Sequence, residues 1–138
     1  MKKIFFFLVF ILLTGCGNKQ ILECDTESNN LSTNIVFNYS NDKIKSIDLK
    51  YIYNLEKYEV KDIELFKKEN YCNIVNDSSD IFKDAIKNCN QNINNSELVV
   101  NAQIDISKID KNKFDKDSNI NSVKDSFEKS GANCKIKK

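Results

Sequence analysis

Apolar and polar residues alternate over several stretches of this chain. Thr33, Ile35, Phe37 and Tyr39 are separated by Asn34, Val36 and Asn38, and Ile47, Leu49, Tyr51, Tyr53 and Leu55 by residues that include Asp48, Lys50 and Asn54. A period of two marks a strand with one buried face. Between the two runs, Ser40-Asn41-Asp42-Lys43 supplies residues that tolerate left-handed backbone, so a β-hairpin is predicted. Residues 21–24 predict a short opening strand. Leu98, Val100, Ala102, Ile104 and Ile106 predict a further strand, and 133–137, with Cys134 and Ile136, a closing one.

Elsewhere the spacing is helical. Over 59–76, Ile63, Phe66, Cys72 and Val75 follow a loose helical pattern that frays near Tyr71. Ile81, Phe82, Ala85, Ile86 and Cys89 recur at three- and four-residue intervals, which predicts a core-facing helix capped by Ser78 or Ser79. Residues 88–96 read as an Asn-rich connector and 108–121 as a charged surface loop. Ser122 is placed to cap a short helix, with Asp125 at the capping-box position, Val123 and Phe127 on one face and Gly131 just past its end. Strands come in runs rather than in strict β-α-β alternation. The expected fold is therefore α+β: one small domain, a largely antiparallel sheet, and helices packed on one face.

The N-terminus carries a different signal. Lys2 and Lys3 precede an unbroken apolar run over residues 4–13. Ten such residues fall short of the ~20 that a membrane-spanning helix needs, but they suit the hydrophobic region of a secretory signal. The run ends in Leu13-Thr14-Gly15-Cys16, which resembles the lipobox of bacterial lipoproteins. That resemblance implies cleavage before Cys16 and a diacylglyceryl group on its thiol, with fatty acyl (palmitate-type) chains in the bilayer. The division expected is a signal peptide at 1–15, lipidated Cys16 and a polar tether at 16–20, and an extracytoplasmic domain at 21–138. An ordinary signal peptide with a chance Cys, or a signal anchor, are the alternatives.

Composition narrows the function. The chain has 138 residues, 41% hydrophobic and 30% charged, enough for one small core. Its formal charge is +1, and removing 1–15 with Lys2 and Lys3 leaves it near neutral, so no basic patch for nucleic acid is expected. It contains no His, Arg, Trp or Pro. The commonest general base and metal ligand is thus missing, as is the guanidinium clamp for phosphate. Of its five Cys, Cys16 is assigned to lipid, which leaves Cys24, Cys72, Cys89 and Cys134. Four Cys in an exported domain allow three pairings. The nested one, Cys24–Cys134 with Cys72–Cys89, is favoured because it ties the opening strand to the closing one; four buried reduced thiols are the alternative.

Candidate chemistry is sparse. Ser126-Phe127-Glu128-Lys129 matches the S-x-x-K nucleophile pattern, but no Lys-Thr-Gly or Ser-Asp-Asn partner accompanies it. Asp115-Lys116-Asp117-Ser118-Asn119 begins like a calcium loop, yet Ile120 stands where Gly is needed and Ser126 where Glu is needed. The carboxylate pairs Asp62/Glu64 and Asp77/Asp80 sit among lysines and read as surface. Phe37, Tyr39, Tyr51, Tyr53 and Tyr58 form an aromatic set that lines a ligand groove or, more simply, packs a sheet face.

Taken together, several stretches resemble the small bacterial lipoproteins of the YehR-like type. They are 13–16, Leu22-Glu23-Cys24, Asn41-Asp42-Lys43 at a hairpin tip, 99–102 running into 105–110, and 123–131 closing on Cys134-Lys135. The resemblance implies an α+β extracytoplasmic domain and supplies no activity, cofactor or catalytic residue. The expectation is a non-enzymatic lipoprotein on the outer face of the cell membrane. It would bind an envelope component, a peptide or a small molecule; a small envelope hydrolase and a purely structural or antigenic surface protein are the rival classes.

Overall fold

The computed structural model describes residues 18–138, so the signal peptide expected at 1–15, Gly17 and the lipidation expected at Cys16 lie outside the described residues. Strands β1 (Lys19–Ser28), β2 (Leu31–Ser40) and β3 (Lys43–Asn54) form a meander, followed by helices α1 (Val60–Phe66) and α2 (Tyr71–Ser78). Strands β4 (Ile86–Ile93) and β5 (Glu97–Ile104) come next, then a 3₁₀ turn at Ile106–Lys108, helix α3 (Ile120–Lys129) and β6 (Asn133–Lys137). The six strands make one sheet in the order β4-β5-β3-β2-β1-β6, antiparallel throughout. This is an α+β domain.

The predicted hairpin is present, with Phe37 opposite Ile47 and Ile35 opposite Leu49. Its turn uses Asn41 (φ 53°) and Asp42 (φ 63°), the two consecutive left-handed residues that a tight hairpin with the right strand twist requires. β1 is longer than its short apolar segment suggests, because it pairs with β2 from Lys19–Ser40 to Ser28–Leu31. Its outer half, Asp25 to Ser28, is exposed, so pairing rather than burial extends it.

One sheet face is apolar. Leu22, Cys24, Phe37, Tyr39, Ile47, Leu49, Ala102, Ile104 and Cys134 share it and are buried with Ile120 and Val123 of α3. Phe37 meets Phe127 edge-on, with ring centroids 5.2 Å apart. Burying side chains of this size contributes roughly 1.5–3 kcal/mol each. A second cluster on the same face joins Leu55, Leu98 and Val100 to Ile63 of α1. The opposite face carries Glu23, Asp25, Asn34, Asn38, Asp48, Lys50 and Gln103. Asn34 Nδ2 donates there to Glu23 Oε1 at 2.9 Å and Asp25 Oδ1 at 2.7 Å, and Asn38 Nδ2 to Ser46 Oγ at 2.9 Å.

Three local expectations are corrected. The helix expected over Ile81, Phe82, Ala85, Ile86 and Cys89 does not form: residues 80–85 are turn, and β4 occupies most of what was read as a connector. Asp84 (φ 62°) and Asn88 (φ 47°) take left-handed backbone that no right-handed helix accommodates. Ser79 Oγ does accept the Phe82 N–H at 3.0 Å, but the cap serves a turn. The helical pattern over 59–76 is divided at 67–70 into α1 and α2, the second capped by Asn70. Finally, α3 is capped by Asn119, whose Oδ1 accepts the Ser122 N–H at 2.9 Å, so Ser122 is not the cap and no capping box with Asp125 is needed. Gly131 (φ 102°) follows the C-cap Ser130 as expected, where a left-handed residue ends the helix.

Both disulfides follow the nested pattern. Cys24 and Cys134 face each other across β1 and β6 with Cα atoms 4.1 Å apart. Cys72–Cys89 fastens α2 to β4.

Candidate functional site

The apolar face is not uniformly covered. Between the ends of β3 and β5 and helices α1 and α2 lies a cleft of about 420 Å³. Tyr51 and Tyr53 of β3, with Leu98 and Val100 of β5, form its floor, and Leu31 at the start of β2 closes one side. Tyr58 and Phe66 form one wall, their rings edge-on at 5.1 Å. Tyr71, Ile74, Val75 and Ser78 form the other; at spacings of three, four and seven they lie on one face of α2.

Specific bonds hold this arrangement in place. Gln91 of β4 accepts the Tyr71 N–H at 2.8 Å through Oε1 and donates to the Glu69 carbonyl at 2.9 Å through Nε2. The Cys72–Cys89 bridge joins the same two elements covalently. Leu55, buried beneath the cleft, donates its N–H to the Ser96 carbonyl at 2.8 Å. The floor is therefore rigid sheet and the α2 wall is stapled to it.

The lining is apolar apart from four phenols and the Ser78 hydroxyl. Burial pushes the Tyr51 phenol up. Tyr53 is raised by its hydrogen bond with Tyr58 and by proximity to the Tyr58 charge, and Tyr71 by burial, then by Glu69 and Tyr53. Near neutral pH these phenols are protonated, so they present hydroxyl donors at the edges of an apolar floor. Such a surface suits a ligand with a hydrophobic or aromatic body and a few hydrogen-bond acceptors. Ile74, 47% exposed, stands at the rim, and Val60 (68%) and Leu65 (59%) are exposed on α1.

The structure divides the aromatic set suggested by the sequence. Tyr51, Tyr53 and Tyr58 converge on the cleft, whereas Phe37 and Tyr39 are buried in the core beneath α3. Phe66, Tyr71 and Ile74 belong to the site without having been singled out in sequence; the spacing of Tyr71, Ile74, Val75 and Ser78 was the available signal.

The other candidates stay apart. Ser126 and Lys129 are exposed on α3, away from the cleft. Asp115 Oδ1 accepts the Asp117 N–H at 2.9 Å, using its carboxylate to form a turn. Glu64 forms a surface pair with Lys67 at 2.7 Å. Among the described residues no three His, Cys, Asp or Glu side chains gather as metal ligands, and no helix is long and apolar enough to cross a membrane.

Compared with known proteins, the chain matches no protein-family model and no curated protein. Among solved structures it is similar to a protein from Streptococcus pneumoniae TIGR4 determined by NMR. The two share 7% identity over 86% of each chain, with a TM-score of 0.47.

Proposed function

We propose that this chain is an extracytoplasmic lipoprotein, acylated at Cys16, whose domain is a non-enzymatic binding module with its ligand in the tyrosine cleft. The anchor rests on Lys2 and Lys3, the apolar run over 4–13 and the box ending at Cys16. Kinship with the YehR-like lipoproteins belongs to the same reading. The two disulfides support it, because structural disulfides persist outside the reducing cytoplasm.

The observation that carries the binding role is the composition of the cleft. Its lining combines apolar side chains with hydroxyls and includes no carboxylate, amine or thiol. Hydrolysis needs a nucleophile paired with a base within hydrogen-bond reach, and phenols held above their ordinary pKa are poor bases at neutral pH. The ligand expected is a small molecule or peptide side chain with an apolar or aromatic body, drawn from the cell envelope or its surroundings.

Tyrosine emission reports directly on this site, since the chain has no Trp and four of its five Tyr line the cleft. Titration of the folded protein with anilinonaphthalene sulfonate is expected to quench that emission saturably. Ile74→Asp, a change at an exposed rim position that also repels the anionic probe, is expected to weaken probe binding by at least about tenfold, with the melting temperature unchanged. Unaltered binding in Ile74→Asp, or no saturable quenching in the parent, contradicts the assignment.

A further inference from the structure

The cleft lies at one end of the sheet, and the other end has its own character. Only Gly17 and Asn18 separate Cys16 from Lys19, the first residue of β1. Three Cα steps reach at most about 11 Å. A lipid on Cys16 therefore brings the start of β1 close to the headgroups, because Lys19 and Gln20, expected in the tether, belong to β1.

Strand register shows what comes with it. Lys19 pairs with Ser40, and Ser40 with Lys43, so Lys19 and Lys43 flank one position at the sheet's end. Lys45 lies just beyond, at the irregularity in the β2–β3 ladder. Lys137 pairs with Ile21 at the end of β6, and Lys138 follows it. All five lysines are exposed. Against them stand Asp42 in the turn and Glu23, which pairs with Lys137, so the lysines at this end exceed these carboxylates by three. The segment after β5 is balanced, with Asp105, Asp110, Asp115 and Asp117 set against Lys108, Lys111, Lys113 and Lys116. The far end carries Glu27, Glu56, Glu59 and Glu97 with Lys57 and Lys61. The domain is thus basic beside the anchor and acidic beside the cleft.

We propose that the end bearing Lys19, Lys43, Lys45, Lys137 and Lys138 docks on an anionic phospholipid surface and holds the tyrosine cleft away from the bilayer. This rests on the lipid-anchor reading of Cys16. Tyr53, on the cleft floor, is ten residues along β3 from Lys43, which places the cleft about 30 Å from the basic end. Each lysine held near an anionic surface raises occupancy of the docked state by roughly fivefold, and a two-residue tether keeps the domain within the range of that attraction.

The test uses the full acylated protein in two kinds of vesicle: equal parts phosphatidylglycerol and phosphatidylcholine, and phosphatidylcholine alone. A membrane-impermeant amine-acetylating reagent is applied and each lysine is followed by peptide mass spectrometry. Lys19, Lys43 and Lys45 are expected to react about fivefold or more slowly on the anionic vesicles, with Lys57 and Lys61 unchanged and the protection lifted by high salt. In the triple variant Lys19→Glu, Lys43→Glu and Lys45→Glu, all at exposed positions, Lys137 is expected to react equally on both vesicles. Equal reactivity of Lys43 on the two surfaces in an acylated parent, or protection of Lys57 and Lys61 instead, overturns the orientation alone. A Cys16 without an acyl mass overturns the anchor and the orientation together.

Discussion

Tyr39 links the sheet to the segment that precedes α3. Its ring is buried in the core, and its hydroxyl donates to the Ser118 carbonyl at 3.4 Å. Burial pushes the phenol from 10.0 up to about 12. The folded state therefore keeps this proton where the unfolded chain has lost it. The resulting stabilisation is fully present below pH 10 and is lost as pH rises through about 12. Urea midpoints of Tyr39→Phe are expected to fall less steeply than those of the parent over that window, with a loss of about 0.5–1.5 kcal/mol at neutral pH from the missing hydrogen bond. An identical alkaline slope in the variant contradicts this role. Tyr39 also shows how far residue patterns are legible. Alternation placed Phe37, Tyr39, Tyr51 and Tyr53 on the same sheet face. It carried no information on which of them α3 would cover and which would be left beside a cleft, because that depends on elements distant in sequence.

At the scale of elements, the hairpin, β5 and β6 were legible from a clean period, although β5 stops at Ile104 and Ile106 enters the 3₁₀ turn; α3 was legible from the shared face of Val123 and Phe127 and from Gly131, but not from its cap, Asn119. β4 was not. Ile81, Phe82, Ala85, Ile86 and Cys89 fit a helical stripe, yet Cys89, Gln91 and Ile93 also alternate with Asn90 and Asn92, and that second period is the one observed. Left-handed Asp84 and Asn88 decide between them, together with the ladder to β5 and the bridge from Cys89 to α2. Cys72–Cys89 closes a separation of 17 residues and Cys24–Cys134 one of 110, worth about 3 and about 5 kcal/mol in the chain-entropy description. Replacing Cys72 and Cys89 together by Ala is expected to cost about 3 kcal/mol in chemical denaturation. Amide exchange should speed up in α2 and β4 before it does in β1–β3. Uniform acceleration across the sheet contradicts the view that this bridge mainly fastens the wall of the cleft.

For the whole molecule, an antiparallel sheet with helices on one face leaves its other face mainly to polar side chains, with Ile21, Val36, Ile52 and Val99 among them. The α+β class followed from strand runs and one-sided patterning. The end-to-end separation of charge did not, since Lys19, Lys43 and Lys137 become neighbours only through the β1–β2, β2–β3 and β1–β6 registers. Cleft, staple and basic end form a coherent design only if the domain is exported and held at Cys16. Intact-mass analysis of the protein extracted from the membranes of its producing cell tests that most directly. The expected species begins at Cys16, carries a diacylglyceryl adduct there, and has both disulfides closed. A chain retaining residues 1–15 with an unmodified Cys16 and four free thiols would contradict it.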